Sequence, residues 1–396
     1  MKIVSKFLFH FTLLIVLNSC NGTGARVIFK NAPNVTDYRI FENDSLVASP
    51  KPYHFSKQKS NIDIPDYNQW ILAKNDFKAE NFEDFLDETK TTAFLVIKDD
   101  TIVYESYHNG YDADSFLQVF SVTKAFTATL AGIAIEEGKI KSIEQPVSDF
   151  IPEFAEDERK DIRIKDLLQM TSGLKFTDHE QVLRLGRMYY NKEALHFMQK
   201  TKMKYEPSTH FAYSSMTSLI LGICIERACG QSYTSYLQEK LWTPLGMQND
   251  GLVNVSKRDR VAHAFGGLST NALDLAKFGR LYLNKGHWEG QQIISEEWAN
   301  AAGKRDTTEG SFWGYNRGFW LHTYDYRGEY YKDEHDSPVP APEVMDMTDF
   351  TAIGYRGEIV YVNPDYNMIV VRLGTSESDI VWNKSLLKLV TLMNNH

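Results

Sequence analysis

Two β-rich pairs stand far apart in the chain, and they limit the possible folds more than any other feature. Ala93 to Ile97 and Thr101 to Tyr107 flank Lys98-Asp99-Asp100, which is a hairpin pattern. Ile359 to Val362 and Met368 to Leu373 flank Asn363-Pro364-Asp365 in the same way. The stretch between the pairs reads as helices. Ser121 to Glu137 carries a long apolar pattern closed by Gly138, a residue suited to a C-cap. Ile164 to Met170, Glu193 to Lys200, Ser214 to Ala228 and Tyr233 to Trp242 follow, and Thr270 can cap a helix through Ala272 to Leu283. Strands, then helices, then strands predict an α/β fold. It has one antiparallel sheet assembled from both ends, flanked by helices, with an all-helical domain inserted at about 140–255.

The first residues differ from the rest. Lys2 and Lys6 precede the apolar run Phe7 to Leu17, which is too short to stay in a bilayer as a spanning helix but suits the core of a signal peptide. Leu17-Asn18-Ser19-Cys20 resembles a bacterial lipoprotein processing site. The expectation is a signal over 1–19, lipid on Cys20, and export to the periplasm or cell surface as a lipoprotein. Residues 20–75 are polar and rich in Asn and Pro, and they predict a tether and an extended surface arm. The main domain would then cover 76–396.

The chain has 396 residues, and hydrophobic residues make up 43%, enough for a large core. The net charge is -9 without a long Lys/Arg run, which argues against a nucleic-acid footprint. Cys224 and Cys229, five apart in a helical pattern, read as packing residues rather than a disulfide. Asp333-Glu334-His335-Asp336 reads as a solvated acidic loop, since no second ligand cluster supports a metal.

Ser-x-x-Lys occurs at Ser56, Ser172 and Ser385 as well as at Ser121, so the spacing alone selects nothing. Ser121 differs in its setting, at the junction of a loop and a long apolar helix. Residues three apart share a helix face, so Lys124 can reach the Ser121 hydroxyl. The positive end of the helix and burial both disfavour a protonated lysine, and a neutral amine can take the serine proton. An N-capping serine with a solvent-facing lysine would show the same spacing. Two further elements carry weight. Phe211-Ala212-Tyr213-Ser214-Ser215 places a tyrosine at a second loop-to-helix boundary, and Gly354-Tyr355-Arg356-Gly357-Glu358 places glycines at a strand start, where a substrate can approach the backbone.

Together these elements resemble the serine β-lactamase and penicillin-binding-protein superfamily, in particular its class C β-lactamase, esterase and 6-aminohexanoate-dimer hydrolase branch. The similarity runs from about Phe94 to the C-terminus. It includes Leu167 to Leu174, the Pro244-Leu245-Gly246-Met247 turn and Gly266-Gly267-Leu268. The resemblance implies a β-lactamase/transpeptidase-like fold and acyl transfer without cofactor or metal on a small amide or ester. Ser121 would be the nucleophile, Lys124 the general base and Tyr213 the proton donor to the leaving group. The N–H groups of Ser121 and Glu358 would form an oxyanion hole, worth roughly 3–4 kcal/mol per donor. Ser215, Tyr355, Gly357 and Glu358 would line the substrate.

Two positions depart from the β-lactamase pattern. Ser215 stands where that pattern has an asparagine, and Tyr355 where it has a lysine. The second change removes a charge-assisted contact to a substrate carboxylate. Arg356, if on a strand, faces away from Tyr355. Glu358 adds a nearby negative charge. These features favour linear esters or amides over β-lactams. The rival expectation is a silent binding lipoprotein for cell-wall fragments or peptides on the same scaffold.

Overall fold

The computed structural model describes residues 33–73, 76–179, 181–321, 348–376 and 380–394. The proposed signal, Cys20 and the acidic run at 333–336 lie outside the described residues. The strands in chain order are β1 (Glu42–Leu46), β2 (Ser56–Lys57), β3 (Thr91–Lys98), β4 (Thr101–Tyr107), β5 (Leu117–Gln118), β6 (Gly251–Val255) and β7 (Leu268–Thr270). Then come β8 (His287–Trp288), β9 (Gln291–Gln292), β10 (Tyr315–Asn316), β11 (Phe319–Leu321), β12 (Phe350–Ile353), β13 (Ile359–Asn363) and β14 (Met368–Gly374).

The main sheet runs β10-β11-β12-β13-β14-β3-β4-β2. Both ends of the chain therefore meet at its centre, where β14 pairs antiparallel with β3. The β3–β4 hairpin closes through Asp99 and Asp100, both at positive φ, the backbone that a two-residue turn between twisted strands requires. Alternation along the central strands divides the interior. Leu95, Ile97, Val360, Val362, Ile369 and Val371 face one hydrophobic core. Phe94, Val96, Ile359, Tyr361, Met368 and Val370 face the other. A strand with both faces buried reads as a near-continuous apolar run, as β3 and β14 do.

The helices used below are α1 (Phe82–Glu88), α2 (Val122–Glu136), α3 (Ile164–Leu168), α4 (Val182–Tyr189), α5 (Ala194–Gln199), α6 (Ser215–Cys229), α7 (Tyr233–Leu237) and α8 (Ala272–Leu283), with α9 (Glu296–Ala301) and α10 (Trp382–Asn394) after them. Helices α2 and α8 contribute Phe126 and Phe278 to the first core, where the two rings stack with centroids 3.8 Å apart. Helices α1 and α10 cover the opposite face with Phe85, Leu386 and Leu389.

The helical stretch expected at about 140–255 holds α3 to α7, but it shares the first core with the sheet and ends in a strand. That strand, β6, lies between β1 and β7 in a second, four-stranded sheet, β1-β6-β7-β5. The arm expected to lie on the surface is thus built into the fold. Its β1 pairs along the whole of β6, and Leu46 and Trp70 are fully buried. Hydrogen bonding along an open edge and apolar residues scattered between polar ones hold it there.

Asn271, rather than Thr270, caps α8, accepting from Asp274 N with its side chain. Asp274 and Lys277, both fully buried, form an ion pair at 2.8 Å. Lys277 also donates to Gly246 O at 2.8 Å, and Asp274 accepts from Gln248 N and Asn249 N. The pair therefore holds the Pro244 to Met247 turn to α8, and its many hydrogen bonds offset the cost of burying both charges. Cys224 and Cys229 are both free thiols on α6. Among the described residues, no helix is long and apolar enough to cross a membrane.

Candidate active site

Short strand β5 delivers Ser121. Its last residues pair with β7, and Val119 N donates to Leu268 O at 2.9 Å. Phe120 then takes φ 44°, a left-handed backbone that is uncommon for a bulky residue and costs about 1–3 kcal/mol. The kink turns the chain from strand into α2 within one residue. Ser121 occupies the N-cap position, yet its side chain makes no capping hydrogen bond. Its Oγ lies instead 2.7 Å from Lys124 Nζ. The alternative of a capping serine with an exposed lysine does not describe this site, since Lys124 is only 3% exposed.

The lysine amine is held from three sides. Nζ donates to Phe265 O at 2.9 Å and lies 3.2 Å from Ser215 Oγ. Ser215 Oγ donates to Asp178 Oδ2 at 2.6 Å, while Ser215 N donates to Asp178 Oδ1 at 2.7 Å. A carboxylate only accepts, so the Ser215 O–H points at Asp178 and the Ser215 oxygen must accept from the lysine. A neutral amine has two N–H groups and one lone pair. Phe265 O and Ser215 Oγ take the two N–H groups, which leaves the lone pair for the Ser121 hydroxyl. Burial pushes the lysine pKa down to about 8, against the opposing pull of Asp178. A useful fraction is therefore neutral near neutral pH.

Surrounding loops enforce this arrangement. Gln118 Nε2 donates to Gly266 O at 2.7 Å, fixing the loop that presents the Phe265 carbonyl. Asp178 N donates to Tyr213 O at 3.1 Å, joining the Asp178 loop to the segment before α6. Hairpin β10–β11 lies on the first turn of α2. Gly318 has φ 93°, and a Cβ there would meet Ala125 Cα at 2.6 Å. The hairpin excludes water from Lys124 only because glycine permits that approach.

Tyr213 reaches the same place. Its ring centroid is 4.9 Å from Lys124 Nζ, and it packs among Tyr315, Trp320 and His179. Ser215, expected to line the substrate, is 3% exposed and belongs to the network around the lysine.

The third motif departs from expectation in two ways. Gly354 to Gly357 form a turn rather than a strand start: Gly357 N donates to Gly354 O at 3.0 Å, Gly354 N to Glu358 O at 2.7 Å, and Gly357 has φ 80°. On a turn, strand alternation does not apply. Arg356 lies over the Tyr355 ring at 5.0 Å instead of facing away from it. Its guanidinium donates to Pro33 O through Nε at 3.1 Å and Nη2 at 2.9 Å. Tyr355 itself is 45% exposed and sets its ring edge-to-face with Phe120 at 5.9 Å. Secondly, Glu358 adds no full negative charge at neutral pH. It is fully buried, and desolvation pushes its pKa up to about 8.

Asp178, the Phe265 carbonyl and Gly318 were not among the residues singled out from the sequence. Asp178 stands in Thr177-Asp178-His179, which carries no motif, and a carbonyl acceptor has no side-chain signature. Among the described residues, no group of three or more His, Cys, Asp or Glu side chains could hold a metal.

Known proteins share both sequence and architecture with this chain. It is 26% identical over 317 residues to a 6-aminohexanoate-dimer hydrolase of Paenarthrobacter ureafaciens, covering 75% of this chain and 76% of that one. A Bacillus anthracis structure provisionally named as a 6-aminohexanoate-dimer hydrolase superposes with TM-score 0.73 at 19% identity, over 91% of this chain and 93% of that one. A family VIII carboxylesterase superposes with TM-score 0.55 at 18% identity, over 76% and 92%. At those identities the two structures speak for the fold alone. The Beta-lactamase family model matches residues 79–384, which include the centre of the main sheet and all the residues gathered around Ser121. The chain belongs to the beta-lactamase family, a family of serine hydrolases.

Proposed function

We propose that this chain hydrolyses linear amides or short esters through an acyl-enzyme on Ser121. The observation that carries this reading is the buried Lys124 amine, 2.7 Å from Ser121 Oγ. Ser121 Oγ attacks the substrate carbonyl carbon as its proton moves to Lys124. The N–H groups of Ser121 and Glu358 stabilise the oxyanion. Tyr213 passes a proton to the leaving amine or alcohol, and water then cleaves the ester on Ser121. Gly357, expected to line the substrate, instead leaves room for the Arg372 guanidinium, which a Cβ there would strike. A buried lysine with a lowered pKa against a serine hydroxyl is costly to build, and it supports the enzyme over a silent binding protein.

Substrate preference follows from the third motif. Tyr355 brings no cation, and Arg356 is held on Pro33 O. A carboxylate beside the reacting carbonyl therefore gains little. The named activity of the Paenarthrobacter relative supports a linear amide. We expect p-nitrophenyl esters and D-amino-acid amides to react faster than nitrocefin. Tyr355→Lys should raise turnover of carboxylate-bearing substrates relative to neutral esters by about tenfold to a hundredfold, the worth of one charge-assisted hydrogen bond. Wild-type protein that prefers nitrocefin to every neutral ester and amide would contradict this reading of the motif.

We also propose that the mature chain begins at a lipid-bearing Cys20 and works at a membrane surface outside the cytoplasm. The Lys2/Lys6 start, the apolar run to Leu17 and Leu17-Asn18-Ser19-Cys20 support it. Mass spectrometry of native protein from the membrane fraction should find an acylated N-terminal cysteine. An unlipidated mature form with another N-terminus would refute it.

A further inference from the structure

A carboxyl group sits beside the reaction centre where the chemistry above employs none. The Glu358 side chain is fully buried between the third-motif turn and β13. Its Oε2 accepts from Arg356 N at 3.0 Å, closing the turn on itself. Its Oε1 is buried and has no hydrogen-bond partner among the described residues. Gly354 shows what the carboxyl faces. A Cβ built there would lie 2.3 Å from Glu358 Oε2 and 2.6 Å from Val119 O. The carboxyl and the carbonyl two residues before Ser121 thus crowd the same glycine. An ionised carboxylate and a carbonyl oxygen repel each other. A protonated acid has an O–H to give, and burial favours it.

The charged neighbours do not reverse this. Arg372 directs Nη1 to Gly357 O at 2.5 Å, Nη2 to Thr89 O at 2.8 Å and Nε to Thr91 Oγ1 at 3.0 Å. Arg356 directs its guanidinium to Pro33 O. Desolvation outweighs everything that favours the ionised form, which is first the backbone N–H groups of Glu358 itself and of Arg356, and then the charges of the two arginines. Tyr189, which interacts electrostatically with Glu358, is a buried phenol that burial holds well above its ordinary pKa, and so it is uncharged.

We propose that Glu358 is a positioning residue, whose neutral acid clamps the turn carrying its own N–H against the Val119–Phe120 segment carrying Ser121, and so sets the spacing of the two oxyanion donors. The proposal rests on the acyl-enzyme reading of Ser121. Loss of the proton places a negative charge behind a site that must stabilise an oxyanion, and it pushes the turn away from Val119. Lys124 gains its lone pair over the same interval, near pH 8. Base activation rises as the clamp fails, so activity passes through a narrow maximum.

The test uses the full chain with p-nitrophenyl butyrate, spontaneous hydrolysis subtracted, between about pH 6 and pH 10. Wild type should give a bell centred near 8. Glu358→Gln keeps the shape and the amide but cannot ionise. It should keep the ascending limb and lose the descending one, exceeding wild type by about tenfold at the alkaline end. Glu358→Ala removes the clamp and should lower kcat by about tenfold below about pH 8 with KM little changed, the difference closing at alkaline pH as wild type loses its own clamp.

Thermal melting supplies a readout independent of turnover. The folded acid holds a proton that the unfolded chain releases above its ordinary pKa. Its contribution to stability is therefore greatest at acid pH and is lost as pH rises to about 8. Glu358→Gln should remove that part of the decline in Tm. A descending limb that persists unchanged in Glu358→Gln overturns the proposal, whatever becomes of Glu358→Ala. Wild-type protein that neither turns over nor acylates strikes instead at the hydrolase reading itself.

Discussion

Ser121→Ala protein should lose hydrolysis by about four orders of magnitude or more, while its melting temperature stays within a few degrees of wild type. Ser121 Oγ makes no capping bond, so the helix loses no cap when it is removed. The fold keeps the Phe120 kink, α2 and the lysine network, and only the attacking atom is gone. A loss of about 10⁴ corresponds to roughly 5.5 kcal/mol of transition-state stabilisation, more than any single binding contact supplies. The other three Ser-x-x-Lys serines serve as controls. Ser56 lies on edge strand β2, and Ser385 Oγ accepts from Leu72 N at 2.9 Å. Ser172 is buried in the loop after α3. Alanine at these positions should leave the chemistry in place. Turnover retained by folded Ser121→Ala protein would remove the serine from the mechanism.

Lys124→Ala should lower kcat by about 10³–10⁴, the upper range for loss of a general base. Lys124→Arg should not restore activity, because a guanidinium stays protonated and has no lone pair to offer. The pH dependence separates this role from simple packing. With its pKa near 8, the amine gains its lone pair as pH rises, so kcat/KM of wild-type protein should climb from about pH 6 up to that value, and Glu358→Gln protein should go on climbing through it. The direction follows from the cause, since burial penalises the ammonium form and so lets the proton leave earlier than from an ordinary lysine. Asp178→Asn should move the limb to lower pH, because the carboxylate that favours the ammonium form is removed. A kcat/KM profile flat from about pH 6 to pH 9 in wild type would show that Lys124 does not take the proton.

Much of the frame was legible from periodicity and turn chemistry. The hairpin around Asp99-Asp100 and the pairing of both chain ends follow from alternation and from strands that need partners. Helices α2 and α6 follow from long apolar runs behind small polar residues. Ser121 and Lys124 could be singled out because a helix start turns a three-residue spacing into a contact. What escaped was set by tertiary closure. Asp178 reaches Ser215 only because its loop folds back on Tyr213. The Phe265 carbonyl and the Gly318 approach are backbone facts with no residue-type signal. The direction of Arg356 depends on whether it stands on a strand or a turn, and Gly354 and Gly357 suit both. The state of Glu358 depends on burial, which a sequence leading into an apolar strand suggests for the backbone but not for one carboxyl.

The central claim is that Ser121 is an activated nucleophile, and a fluorophosphonate probe reports that without knowledge of the natural substrate. The full chain is treated with the probe, and the modified residue is located by peptide mass spectrometry. A single adduct on the peptide containing Ser121 is expected, absent from Ser121→Ala and formed far more slowly in Lys124→Ala. Wild-type protein that takes up no probe, or carries the adduct on another residue, would contradict the account.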